Sequence, residues 1–288
     1  MAIDSYTTTP TRFTEVEGLR YAYREVGDAG LPPLVALNHF RGTLDTWDPT
    51  LIDGLAKIRR VIAIDNTGVS RSEGTTPNNV ADMARDAAAV IRTLGLERID
   101  LLGFSLGGFV AQQLVLDDPE LVRYLILAGT GPEGGYDFAR FTPGVQAVSM
   151  RPHPVPEDLV YLFFAHTDHS RNLGKAYLER LARRTTDNEP EVSAHTTNAQ
   201  LEAIGAWGTP PDEAQDRYAK LAGIRQPTLV VNGIEDRLVP TINSYTLARH
   251  IPNAQLILYP DAGHGSQFQY PERFVADVNT FFNGVALT

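Results

Sequence analysis

The chain contains no cysteine. Disulfide staples, a thiolate nucleophile and thiolate metal sites are all excluded by that absence. Basic residues are in deficit, with 25 Lys and Arg against 35 Asp and Glu, a formal net charge of −10. Such a surface repels phosphates, so neither nucleic acid nor an anionic membrane is an expected partner. No apolar run approaches the length of a membrane span. The opening residues MAIDSYTTTP have neither the basic nor the apolar region of a secretory leader. With the lack of cysteine, this leaves a cytoplasmic location as the expectation.

What is present is an ordinary globular composition, 43% hydrophobic and 21% charged over 288 residues. The length suits one large core carrying an inserted subdomain. Thr11–Glu17 and Leu19–Val26 read as antiparallel strands joined near Gly18. Short apolar runs at Leu34–Leu37, Arg60–Asp65, Arg98–Phe104 and Val122–Ala128 then alternate with helical stretches at Thr43–Lys57, Val80–Leu94 and Leu106–Leu116. The alternation returns with strands at Pro227–Asn232 and Ala254–Tyr259 and helices at Ile242–Ile251 and Pro271–Phe282. Eight strands alternating with helices in this way predict an α/β fold built on a mostly parallel sheet. Between residues 134 and 223 the alternation stops. Glu157–Ala165, Arg171–Arg184 and Asp212–Leu221 have helical spacing there, and no run reads as a buried strand. The expected organisation is a core of residues 1–133 and 224–288 with a helical cap over 134–223.

Gly103-Phe104-Ser105-Leu106-Gly107 fits G-x-S-x-G. The pattern alone is weak, but its flanks are those of a strand running into a helix, the context of a nucleophile elbow. The glycines suit a turn in which backbone approaches backbone too closely for a Cβ. Ser105 would then stand at a helix N-terminus, where partial positive charge favours a developing anion. An ordinary serine N-cap is the bland alternative. A serine hydroxyl needs a base. Of seven histidines, His264 lies in a loop after the last strand, and Asp236 lies just past the strand before it. Both can reach the top of the sheet, where Ser105 is expected. Glu133, just past the sixth strand, is the second candidate for orienting the base.

These motifs resemble those of the α/β-hydrolase family, and the resemblance covers nearly all of the chain outside the cap. GFSLGG resembles the elbow of esterases and cofactor-free haloperoxidases, GIEDRLVP and DAGHGS the acid and histidine loops, and DNTGVSRS the loop after the fourth strand. The resemblance implies a Ser105–Asp236–His264 triad and an oxyanion hole made by the backbone N–H groups of Phe40 and Leu106. It also implies that no cofactor and no metal are needed. In the third-strand loop the family usually carries His-Gly, whereas this chain has Asn38-His39-Phe40-Arg41-Gly42. His39 therefore either contacts the substrate or packs on the elbow. Dehalogenases and epoxide hydrolases of the same fold carry aspartate at the elbow, so a serine implies an acyl-enzyme.

Weaker signals remain. His166 and His169 have i, i+3 spacing, which a polar surface explains better than a metal pair. His39, Arg41, Phe104, Phe164 and Trp207 are candidate substrate contacts, with Tyr161, Phe163 and Phe40 as further apolar lining and Arg71 as a second guanidinium for a carboxylate; the alternatives are that several of the aromatics simply pack the cap onto the core and that the arginines are solvated. The expected partner is a small molecule, and a homodimer is left open. Hydrolysis of an ester or lactone of a small apolar molecule is the leading function. C–C bond hydrolysis, perhydrolysis and ligand reception without turnover are the alternatives.

Overall fold

The computed structural model describes residues 5–28, 30–138, 141–210 and 216–284. Eight strands form one sheet: β1 (Arg12–Val16), β2 (Leu19–Val26), β3 (Leu34–Leu37), β4 (Val61–Ile64), β5 (Ile99–Phe104), β6 (Val122–Ala128), β7 (Thr228–Gly233) and β8 (Ala254–Tyr259). Their order is β1-β2-β4-β3-β5-β6-β7-β8. β2 pairs antiparallel with both β1 and β4, and every later pairing is parallel. This is the α/β-hydrolase architecture.

The short central strands are buried on both faces, which is why they read as continuous apolar runs. In β3, Val35 and Leu37 enter one core cluster while Leu34 and Ala36 enter the other, and β4 divides in the same way, Ile62 and Ile64 against Val61 and Ala63. The period-two alternation of strand side chains thus feeds two cores from one sheet. Helices α2 (Val80–Thr93), α3 (Leu106–Asp117) and α8 (Ile242–His250) cover one face. α1 (Pro49–Ala56) and α10 (Pro271–Gly284) cover the other. α2 begins where the Asn79 side chain accepts from the Asp82 N–H and ends at Gly95, whose φ of +74° closes the helix.

The helix expected over Thr43–Lys57 is two pieces. Thr43 caps a short 3-10 turn at Leu44–Thr46, Trp47 and Asp48 are extended, and α1 starts afresh with Asp48 as N-cap and Pro49 inside the first turn. Proline lacks the N–H that would have continued the first turn into the second.

Between β6 and β7 the described chain is helical: α4 (Pro143–Ser149), α5 (Pro156–Phe163), α6 (Asp168–Leu181) and α7 (Ala194–Gly208), then a 3-10 turn at Ala219–Gly223. Of the helix expected over Asp212–Leu221, residues 212–215 lie outside the described residues, and the rest is turn and 3-10. α7 was not apparent from the sequence because most of its buried face, Thr196, Thr197, Ala199, Gln200 and Ala203, is small or polar, with Trp207 the one large apolar side chain among its buried residues. Polar contacts dock the segment on the core. Buried Arg24 of β2 pairs with Glu189 at 2.9 Å, Arg180 of α6 pairs with Asp48 at 2.6 Å, and the Tyr177 hydroxyl donates to the Thr46 carbonyl at 2.7 Å.

Candidate functional site

The site is assembled at the carboxyl ends of β3, β5, β7 and β8. β5 runs into α3 through Ser105, whose φ of 54° and ψ of −117° are strained for a residue with a Cβ. The turn is held by the Ser105 N–H donating to Ala128 O at 2.9 Å, and by Gly108 N–H and the Thr130 hydroxyl donating to Ser105 O at 2.8 and 2.9 Å. Its tightness needs glycine on either side. A Cβ at 103 would stand 2.4 Å from Gly107 O, and one at 107 only 2.2 Å from Leu37 O.

The loops after β7 and β8 carry Asp236 and His264, and they pack directly on each other. A Cβ on Gly233 would meet Ala262 O at 2.1 Å, and Glu235 N–H donates to that same carbonyl at 2.9 Å. Both side chains are buried, and Asp236 Oδ2 lies 2.8 Å from His264 Nδ1. The other oxygen, Oδ1, accepts from Leu238 N–H and Val239 N–H at 2.8 and 2.9 Å. Asp236 therefore closes its own turn with one oxygen and meets the histidine with the other. A carboxylate only accepts, so Nδ1 carries the proton and Nε2 is left as an acceptor. Phe104, under the elbow, sets its ring 5.1 Å from that of His264.

In the turn after β3 most backbone donors are paired within the chain. His39 N–H donates to Asn38 Oδ1 at 2.9 Å, Arg41 N–H to Gln200 Oε1 at 2.8 Å, and Gly42 N–H to His39 O at 2.9 Å. Among the described residues, neither the Phe40 N–H nor the Leu106 N–H, in the first turn of α3, has an acceptor. β3 and β5 are neighbours, with Leu37 beside Gly103, so these two unspent donors belong to adjacent strand ends.

His39 is buried, and both of its nitrogens face groups of the chain, Nδ1 at 2.8 Å from Phe40 O and Nε2 at 3.2 Å from Thr46 Oγ1. Nδ1 must donate to the carbonyl, while the single Thr46 hydroxyl proton goes to Thr43 O at 2.8 Å, so Nε2 only lies beside that oxygen. The ring meets Phe104 and Phe163 edge-on at 5.2 and 4.9 Å. Burial, reinforced by nearby His264, depresses its pKa from 6.5 to about 3 despite the opposing bond to Phe40 O. Below pH 6.5 the unfolded chain takes up a proton that the folded chain refuses, so stability is lost as pH falls from 6.5 toward 3. At pH 5 the loss from this residue is about 2 kcal/mol. The wild type is expected to lose that much more stability than His39→Gln between pH 7 and pH 5, read from urea unfolding at both values. Equal losses in the two proteins would show that His39 is not the responsible group.

Ser105 and His264 line one cavity of about 540 Å³ with His39, Phe40 and Arg41. Leu159, Leu162 and Phe163 of α5 and Leu201 and Ile204 of α7 give it a mainly apolar wall. Its volume is typical of a small-molecule site. A roomier open groove of about 650 Å³ lies elsewhere, between α2 and α7, and none of Ser105, Asp236 and His264 lines it.

A family model for the alpha/beta hydrolase fold matches residues 32–271. The chain belongs to the alpha/beta-hydrolase family. A 2-hydroxymuconate semialdehyde hydrolase from Pseudomonas putida is 31% identical over 274 residues, 92% of this chain and 91% of that protein. An alpha/beta hydrolase fold protein from Chitinophaga pinensis superposes with a TM-score of 0.89 at 42% identity, covering 97% of this chain and 99% of its own. Est816, an enzyme that degrades N-acyl homoserine lactones, is similar at a TM-score of 0.73 and 26% identity, over 94% of this chain and all of its own.

For this alpha/beta-hydrolase chain several expected substrate contacts need correction. Phe104 is fully buried under the elbow, within the core. Phe164, the extended residue that ends α5, turns away from the cavity toward Tyr177, whereas Phe163 lines the cavity. Trp207 stacks on Phe109 at 5.4 Å and donates its indole N–H to Gly131 O at 3.2 Å. Tyr161 is exposed beside His166. Arg71 is committed to Asp187 and Glu189. Arg41 does line the cavity, and its guanidinium donates to Ser149 O and Arg151 O at the end of α4. His166 and His169 have separate partners, Arg237 for the first and Tyr270 for the second. Glu133 pairs with Lys220 in solvent and takes no part in the site. The α5 stripe 159, 162 and 163 was legible as i, i+3, i+4 spacing. Phe138, Val239 and Gln200 carried no such signal.

Proposed function

We propose that the chain hydrolyses a carboxylic ester or lactone of a small apolar molecule through an acyl-enzyme on Ser105. The observation that carries this reading is the meeting on one apolar cavity of strained Ser105 and of His264, which buried Asp236 holds from behind, near two unspent backbone N–H donors. Ser105 Oγ attacks the carbonyl carbon as its proton passes to His264 Nε2. The carbonyl electrons move onto oxygen, and the Phe40 and Leu106 N–H groups stabilise that oxyanion, each donor contributing about 3 kcal/mol in sites of this kind. Asp236 stabilises the imidazolium. Collapse of the adduct breaks the C–O bond, and the imidazolium protonates the departing alkoxide. A water then gives its proton to His264 and attacks the acyl carbon, releasing the acid and restoring Ser105.

The apolar wall supports an uncharged acyl or alkoxyl group, and the similarity to Est816 agrees with a lactone. A second reading is C–C bond hydrolysis with the same residues. It draws on the Pseudomonas putida relative and on Arg41, a cationic group beside the cavity suited to a charged substrate. A serine-directed phosphonate is expected to add its mass to Ser105, and a short activated ester and a simple lactone are expected to turn over. Turnover of a dioxo compound with neither ester nor lactone cleaved would favour the second reading. Labelling with no turnover of any of the three would favour a receptor.

A further inference from the structure

The turn that offers the Phe40 N–H is not held by its own residues alone. Arg41, next in sequence, has a φ of 58°, a left-handed conformation that a residue with a side chain seldom adopts. The peptide joining Phe40 to Arg41 is pinned at both ends. Its carbonyl accepts from His39 Nδ1 at 2.8 Å, and its N–H donates to Gln200 Oε1 at 2.8 Å. The first partner is local. The second lies on α7, across the boundary between core and inserted segment, and is buried to 1% exposure.

From this geometry we infer that Gln200 is a positioning residue for the oxyanion hole. By fixing the Phe40–Arg41 peptide plane it keeps the Phe40 N–H available to the reacting carbonyl, so the hole is complete only with α7 docked. The inference rests on the acyl-enzyme reading given above. Without the amide oxygen, the half-buried Arg41 N–H is left unpaired, and the turn loses the restraint that keeps Arg41 left-handed. An oxyanion donor matters most when charge has developed on the oxygen, so the loss falls on the transition state rather than on substrate binding.

The test uses Gln200→Leu, Gln200→Asn and Gln200→Glu with the best ester found. Leucine removes the acceptor, and asparagine is one methylene too short to reach. Both are expected to lower kcat by about 10- to 30-fold with KM within about threefold. Both are also expected to weaken a boronic acid that forms a tetrahedral adduct on Ser105 by a similar factor. A non-reactive amide analogue of the substrate should bind as before. Glutamate, ionised or neutral, still offers an oxygen and should restore kcat to within about threefold of wild type. Asparagine carries the test if leucine at this buried position unfolds the chain. A raised KM with kcat intact, an unchanged boronate affinity, or a glutamate variant as impaired as leucine would overturn the inference. If Ser105 takes the phosphonate and Gln200→Leu is kinetically silent, this inference alone fails. If Ser105 takes no phosphonate, the acyl-enzyme reading falls and the inference with it.

Discussion

Ser105→Ala is expected to abolish turnover, by at least ~10³-fold in kcat, with the fold left intact. The elbow already accommodates a Cβ at φ 54°, so alanine adds neither bulk nor new backbone strain. Ser105 O, which accepts from Gly108, Phe109 and Thr130, is a backbone atom and survives the change. Only the hydroxyl is lost, and with it the covalent route. What remains is the environment of the site: the two N–H donors, His264 and the cavity wall. Steady-state kinetics on the ester, with thermal melts of both proteins, make the check. Retention of more than a tenth of wild-type activity on a good substrate would refute the assignment of Ser105.

Asp236→Asn should cost ~10²- to ~10⁴-fold in kcat, while Glu133→Gln stays within about twofold of wild type. Asparagine can keep its oxygen on the Leu238 and Val239 N–H groups, so the loop is expected to hold its shape. Its amide nitrogen then faces His264 Nδ1 where Oδ2 stood. A donor there favours the tautomer with the proton on Nε2, which cannot accept from Ser105, and it offers no charge to balance an imidazolium. Glu133 makes a solvent-exposed pair with Lys220, an interaction of little energetic weight. Kinetics of the two variants against the same ester decide the matter. A dead Glu133→Gln beside an active Asp236→Asn would move the orienting acid to the end of β6.

Some of this protein was legible in one dimension. Parallel strands buried on both faces must be short and apolar, and the runs at Leu34–Leu37 and Ile99–Phe104 are therefore visible without coordinates. The elbow was legible because a Cβ at 107 would stand 2.2 Å from Leu37 O, so only glycine is admitted there, a constraint written directly into residue type. Asp236 and His264 follow strands that were themselves readable, so their arrival near Ser105 was a matter of strand order. Other features were set by packing. The inserted segment buries threonine, alanine and glutamine on α7, with Trp207 as the one large apolar residue near its end, and such a face carries little hydrophobic period to detect. Which of two adjacent aromatics enters the cavity, Phe163 at the end of α5 or Phe164 just past it, depends on how the chain leaves that helix. The same holds for the polar partners of the third-strand turn. His39 reads as a departure from pattern, yet its environment is decided by Phe40 O, Thr46 and two phenylalanine rings. Gln200 reaches Arg41 across 159 positions of sequence, and no local rule of propensity or spacing spans that distance. Residue types dictated by backbone geometry were therefore determined by the sequence itself, whereas side chains whose role depends on what a distant element brings to them were decided only by the tertiary structure.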